Sequence, residues 1–187
     1  MDFVKVIDSV CRALDEASVR YALIGGFAMA LRGVQRATID LDFILMLDDL
    51  DRSDEIFCDL GYTRAFRNEN VSHYSSDNWS LGRIDILHAF RGPTLGMLDR
   101  ADRLSVAEGV TLPVVPVEDI IGLKVQATVN NPRRMTKDWS DIRMLVEVSA
   151  EQQLALDWEL LTDYLALFGL TDRVEKMKVW YGEINGE

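Results

Sequence analysis

The sequence predicts an α+β fold: a small mixed β-sheet with helices packed on it, then a helical bundle from about Val117. Three observations carry this. Short apolar runs with strand character recur up to Val115 and then stop. Helical spacing of apolar residues alternates with those runs from the start of the chain. After Pro116 every segment repeats with helical period only. The expected organisation is a core over residues 1–115 and a helical subdomain over 116–187.

The elements follow in order. Asp2 to Ser18 carries Val4, Ile7, Val10, Cys11 and Leu14 at helical spacing. Tyr21 to Ile24 is a short apolar strand, Gly25-Gly26 interrupts it, and Phe27 to Arg32 fits a short helix. Ile39 to Leu45 is the second strand. Asp48 to Leu60 is helical, with acidic residues in its first turn and Gly61 as its stop. Tyr62 to Phe66 and Val71 to Ser75 are strands around a polar turn, and "GRIDILHAF" is a further strand. Thr94 to Asp102 is a short helix. "RLSVAEGVTLPVVP" forms a hairpin turning near Glu108-Gly109, with edge character from Pro113. Four helices complete the chain, over Val117 to Asn130, Arg134 to Val148, Gln152 to Leu167 and Asp172 to Ile184. Pro132 and Gly169 separate the first and last pairs.

The chain has 187 residues, of which 48% are hydrophobic, enough to bury a core. Its net charge of −11 argues against broad nucleic-acid binding, which needs Lys and Arg to neutralise phosphates. The longest uncharged apolar run, Tyr21 to Leu31, is too short to span a membrane. The N-terminus is unlike a secretory signal, and Cys11 and Cys58 imply no disulfide framework. The expected location is the cytoplasm.

Asp is depleted in strands, yet Asp40 and Asp42 stand two apart in one. Both therefore leave the same face, while Leu41 and Phe43 take the other. Asp85 repeats the pattern between Ile84 and Ile86. Three carboxylates share a patch cheaply only when cations offset their repulsion. Hard divalent cations take oxygen ligands, and Mg2+ combines few carboxylates with phosphate oxygens. Gly25 and Gly26 allow close approach of backbone to ligand, and a following helix offers N–H groups to phosphate. Taken singly, Gly-Gly is a turn, Asp-x-Asp is a solvated edge, and Asp85 is a partner for Arg83 or Arg91. In this order, each with apolar flanks, they describe a triphosphate-and-metal site.

At these residues the sequence resembles the nucleotidyltransferase superfamily, with its polymerase-beta-like fold. "GGFAMALRGVQRATIDLDF" resembles the branch of AbiEii-type toxins, in which a Gly-Gly helix leads into Arg-x-Thr-x-Asp-x-Asp, here Arg36, Thr38, Asp40 and Asp42. Small antibiotic nucleotidyltransferases share the core. "VEDIIGLKVQATVNNPRRMTKDWSDIRML" resembles the same branch through Asp119, Lys124, Lys137, Asp138 and Asp141. The resemblance implies an enzyme moving a nucleoside monophosphate from an NTP to an acceptor hydroxyl on a small molecule, RNA or protein, with release of pyrophosphate. It implies two Mg2+ ions on Asp40, Asp42 and Asp85, and phosphate contacts from Gly25, Gly26, Thr38 and Lys124. The alternative is a non-catalytic or regulatory toxin–antitoxin component on the same fold, with a partner protein.

Lys124 shares a helix face with Ile120, Ile121, Ala127 and Thr128, so it either snorkels at a rim or enters a charged pocket. A nearby triphosphate site favours the pocket. Asp138 can pair with Arg134 and Asp141 with Lys137, each four residues back, so both are read first as structural. His73 and His88 lack metal-ligand spacing, although His88 falls three residues past Asp85. Trp79, Trp139, Trp158 and Trp180 are read as core or packing residues.

Overall fold

A computed structural model describes residues 3–38 and 40–186. The chain divides into two compact units. One runs to Leu31 and resumes from Arg36 to Pro116; the other joins Arg32–Gln35 to everything from Val117 onward.

The first unit is built on seven strands in the order β3-β4-β5-β2-β1-β7-β6. They are β1 (Tyr21–Ile24), β2 (Asp40–Met46), β3 (Thr63–Arg67), β4 (Val71–Ser75), β5 (Arg83–Ala89), β6 (Asp102–Ala107) and β7 (Val110–Val114). The sheet is mixed. β2 runs parallel to β5, β1 runs parallel to β7, and the other neighbours are antiparallel. The central strands carry the core: Leu23, Leu41, Phe43 and Ile84 are fully buried. Helices α1 (Phe3–Glu16), α2 (Gly25–Leu31), α3 (Leu50–Asp59) and α4 (Gly92–Arg100) belong to the same unit. A short 3-10 turn over Leu47–Asp49 precedes α3, so that helix starts later than its acidic run suggests.

The α+β class is as the sequence predicts, with local differences. Helix α2 begins at Gly25, so the glycine pair is its first turn rather than a break before it. Pro113 does not mark an edge. β6 is the edge strand, and β7 lies between it and β1. Proline lacks the N–H that a ladder needs, and the β1–β7 register is a single pair, Leu23 with Val114.

The second unit is helical: α5 (Val117–Asn130), α6 (Met135–Glu151), α7 (Trp158–Ala166) and α8 (Asp172–Asn185), with a 3-10 turn over Pro132–Arg134. α5 packs against α6 and α7, and α6 packs against α8. α7 starts six residues later than its apolar pattern suggests. Asp157 caps it by accepting from the Leu160 N–H at 2.9 Å, and an N-cap residue lies outside the helix it starts. The Asp157 N–H in turn donates to the Glu118 carboxylate at 2.8 Å, which fixes the entry of α7 against the start of α5.

Three tryptophans pack as expected. Trp180 is buried with the Arg143 and Lys176 side chains over its ring, Arg173 lies over Trp139, and Trp158 meets Tyr181 edge-on. Trp79 does not: it is 82% exposed in the turn between β4 and β5. Among the described residues, no helix is long and apolar enough to cross a membrane.

Candidate active site

The site is built at the middle of the sheet. Strand β2 leaves Asp40 and Asp42 half-buried on one face while Leu41 and Phe43 are fully buried on the other. In the parallel ladder with β5, Asp42 stands directly opposite Asp85 and Asp40 opposite Arg83. Cross-strand partners project to the same side of a sheet. All three carboxylates therefore share one face, and two of them are immediate neighbours.

On the other side of β2, Ile24 at the end of β1 pairs with Asp42. The next residue, Gly25, turns with φ +69° into α2. A Cβ on Gly25 would fall 2.1 Å from Asp42 Oδ2, an impossible contact. Both the backbone angle and the space therefore require glycine here. A Cβ on Gly26 would lie 3.0 Å from Thr38 Oγ1, so Thr38 is pressed against the second glycine. The Thr38 hydroxyl donates to the Asp40 carbonyl at 3.2 Å, tying the approach segment to the strand. Gly25, Gly26, Thr38, Asp40, Asp42 and Asp85 are thus brought together by one strand–turn–helix passage and one parallel pair.

Two further residues join the face: Arg83, which the sequence offers as a partner for Asp85, and His73, which spacing alone did not single out. His73 on β4 is opposite Asp85, and its Nδ1 lies 2.7 Å from Asp85 Oδ1. Arg83 reaches the same oxygen at 3.4 Å. The signal for His73 was the alternation of Val71, His73 and Ser75, but it becomes useful only once β4 is known to pair with β5. His88 goes the other way. Three residues past Asp85, it falls on the opposite, buried face, with Nε2 2.8 Å from Ser72 Oγ and Nδ1 donating to the Glu69 carbonyl at 3.0 Å. Burial holds its pKa below the ordinary histidine value.

In the helical unit, Lys124 is buried and its ammonium donates to Asp141 at 2.5 Å and to Asp138 at 3.4 Å. Asp138 also accepts from Arg134 Nε at 2.9 Å, as helical spacing suggests. Asp141 takes Lys124 from the neighbouring helix rather than Lys137 from its own. Burial alone would raise the Asp138 pKa, but the Arg134 hydrogen bond and the Lys124 charge outweigh it and hold the carboxyl below its ordinary value. Tyr164 donates to Asp119 at 2.6 Å, with its ring flat against Gly122.

The donor set on the sheet face suits a hard divalent cation: three carboxylates, oxygen only, with a side chain excluded beside Asp42. Among the described residues, however, no group of three or more His, Cys, Asp or Glu is already arranged to hold a metal ion. Asp85 Oδ1 is turned to His73 instead. Two cavities lie elsewhere in this unit. One of about 270 Å³ is bounded by Val6 and Val10 of α1 with Tyr62 and Leu81; the other, about 340 Å³, lies by Asp54 and Tyr74.

The family model described as "Nucleotidyl transferase AbiEii toxin, Type IV TA system" matches residues 10–181. The chain belongs to this family. Solved structures of low identity share its fold. The antibiotic-resistance factor ANT(2'')-Ia is 19% identical with a TM-score of 0.64, over 95% of this chain and 97% of its own. An antigenic nucleotidyltransferase-like protein from Paracoccidioides brasiliensis is 16% identical with a TM-score of 0.58, over 95% of this chain and 92% of its own. The lincosamide antibiotic adenylyltransferase LnuA is 16% identical with a TM-score of 0.56, over 77% of this chain and 96% of its own. No protein of curated function matches the sequence.

Proposed function

We propose that this protein transfers a nucleoside monophosphate from an NTP to an acceptor hydroxyl. The acceptor oxygen forms a bond to the α-phosphorus while the bond from that phosphorus to the bridging oxygen breaks. Pyrophosphate leaves, and the hydroxyl gives up its proton. The observation that carries this reading is the register of Asp42 against Asp85, with Asp40 on the same face and Gly25 bare beside Asp42.

Asp40 and Asp42 would hold two Mg2+ ions, and Asp85 would complete one of the sites. When bound, the metal supplies charge stabilisation to the attacking and leaving oxygens. Asp85 orients the acceptor hydroxyl or takes its proton. Gly25 and Gly26 let the triphosphate approach the backbone, and Thr38 holds the segment that faces them. Lys124, which the resemblance also names, is held by Asp141 and Asp138 within the helical unit and would have to leave Asp141 to meet a phosphate. The family supports a partner protein of the toxin–antitoxin kind.

The test is the melting temperature with and without Mg2+ in the presence of each NTP. A rise with one nucleotide that requires Mg2+ is expected. A wild-type protein with no Mg2+-dependent rise for any nucleotide would overturn the two-metal reading and leave the fold to a non-catalytic role. Labelled NTP, incubated with Mg2+ and an extract separated into small molecules, RNA and protein, then identifies the acceptor class.

A further inference from the structure

Strands β3 and β4 begin in a regular antiparallel register, Thr63 with Ser75 and Arg64 with Tyr74. Continued, that register would set Ala65 against His73 and Phe66 against Ser72, which lies on the buried face with Tyr74. A bulge between Arg64 and Phe66 shifts the pairing by one residue, so Phe66 stands against His73 instead. Bulges re-aim side chains in this way and concentrate near active sites. Here the bulge delivers an aromatic ring to the carboxylate face.

The two rings are stacked, with centroids 5.4 Å apart and planes 25° from parallel. Phe66 remains 47% exposed, so the bulge has not buried it. It fixes the plane of the His73 imidazole. In that plane Nδ1 meets Asp85 Oδ1 at 2.7 Å. An ionised carboxylate only accepts hydrogen bonds, so Nδ1 carries the hydrogen and donates. Phe66, His73 and Asp85 thus form a row across three neighbouring strands, ending opposite Asp42.

The geometry points to His73, braced by Phe66, as the positioning residue for Asp85. It holds Oδ1 and leaves Oδ2 as the oxygen for a divalent cation or an acceptor hydroxyl. The inference rests on the proposed function of the same face. Carboxylates that bind metals are themselves held by hydrogen bonds, and losing such an outer partner weakens binding or activity by about 10- to 100-fold.

The experiment is calorimetric titration of Mn2+ into the full chain with non-hydrolysable analogues of each NTP. It compares wild type with His73→Asn, His73→Gln and His73→Leu. The Asn amide places its N–H close to the Nδ1 position, whereas Gln reaches towards the Nε2 position. We expect Leu and Gln to weaken cation binding by about 10-fold or more, and Asn to stay within about threefold of wild type. Phe66→Ala should weaken it by less than His73→Leu. Long-range nitrogen–proton NMR of the wild type should show the hydrogen of His73 on Nδ1. If wild type binds and His73→Leu binds equally well, the positioning role is wrong and the proposed function stands. Equal weakening by Asn, Gln and Leu would also overturn it, because the loss would not depend on a donor at Nδ1. If wild type binds no cation with any analogue, the proposed function falls and this inference with it.

Discussion

Around Lys124, two buried carboxylates meet a buried ammonium and a half-exposed guanidinium; on the β2–β5 face, three carboxylates share a half-exposed space. In the first cluster Asp138 and Asp141 are buried, and Lys124 and Arg134 balance their charge within hydrogen-bond distance. In the second, Asp42 faces Asp85 across a strand pair, and like charges directly opposite are destabilising. The first arrangement is complete as it stands. The second sets carboxylate against carboxylate, with Arg83 3.4 Å from Asp85, and the proposed function has it take further positive charge from metal. The sign of a substitution should therefore differ between the two regions, and that difference can be tested.

The largest effect is expected at Lys124. Lys124→Met keeps the length of the apolar stem but leaves Asp141 without the ammonium it accepts from. Breaking a buried pair from one side costs about 3–5 kcal/mol. Urea denaturation should show the midpoint falling with little change in slope. A loss below about 1 kcal/mol would mean that the pair is as weak as a surface one, and the contrast between the two regions would lose its basis.

Gly25→Ala comes next. Alanine at φ +69° is strained by about 1–3 kcal/mol, and its Cβ would collide with the Asp42 carboxylate. We expect a lower melting temperature and loss of any Mg2+-dependent nucleotide shift. Gly109→Ala, at φ +75° with open space around its Cβ position, is the control. It should show the backbone strain and keep the nucleotide response.

Much of this contrast was legible in the sequence, and the failures share a cause. The Asp-Leu-Asp strand and the glycine pair are local patterns, and β1 and α5 begin and end where their apolar runs do. Partners on other elements were not legible. Helical spacing offered Lys137 to Asp141, because four residues back is all that one helix can show. The structure offers Lys124, because α5 packs on α6. His73 was passed over for the same reason, since its meaning depends on β4 pairing with β5 and on a bulge in β3. His88 drew attention by nearness in sequence, but an odd offset along a strand sends a side chain to the opposite face.

Acid should reach the two units at different pH. The buried His88 has its pKa lowered from 6.5, so the fold prefers it neutral. Its contribution is fully present above the unfolded value and is lost as pH falls from about 6.5 through the folded value. Asp138 is lowered from 3.8, so its contribution is present above that value and is lost only as pH falls through the lower folded one. Hydrogen exchange between pH 7 and pH 3 should show protection falling first in β4 and β5, and later in α6. The reverse order would mean that His88 is not what limits the sheet unit.

The smallest effect on stability, and the sharpest on the comparison, is that of Asp42→Asn set beside the same change at Asp138. In the buried cluster, Asp138→Asn removes a charge that Arg134 and Lys124 already compensate, and should lower stability by about 1–3 kcal/mol. On the sheet face, Asp42→Asn keeps the shape and removes one of three like charges, so without metal the protein should be unchanged or more stable by up to about 0.5 kcal/mol. The same variant loses a negative ligand from the proposed metal shell, so it should show no Mg2+-dependent rise in melting temperature with any NTP and no nucleotidyl transfer. Four melting curves for each variant decide the matter: with and without Mg2+, with and without nucleotide. If Asp42→Asn is destabilised as much as Asp138→Asn, the sheet carboxylates are a structural cluster like the helical one. If it is not destabilised but keeps the wild-type response to Mg2+ and nucleotide, the cation binds elsewhere.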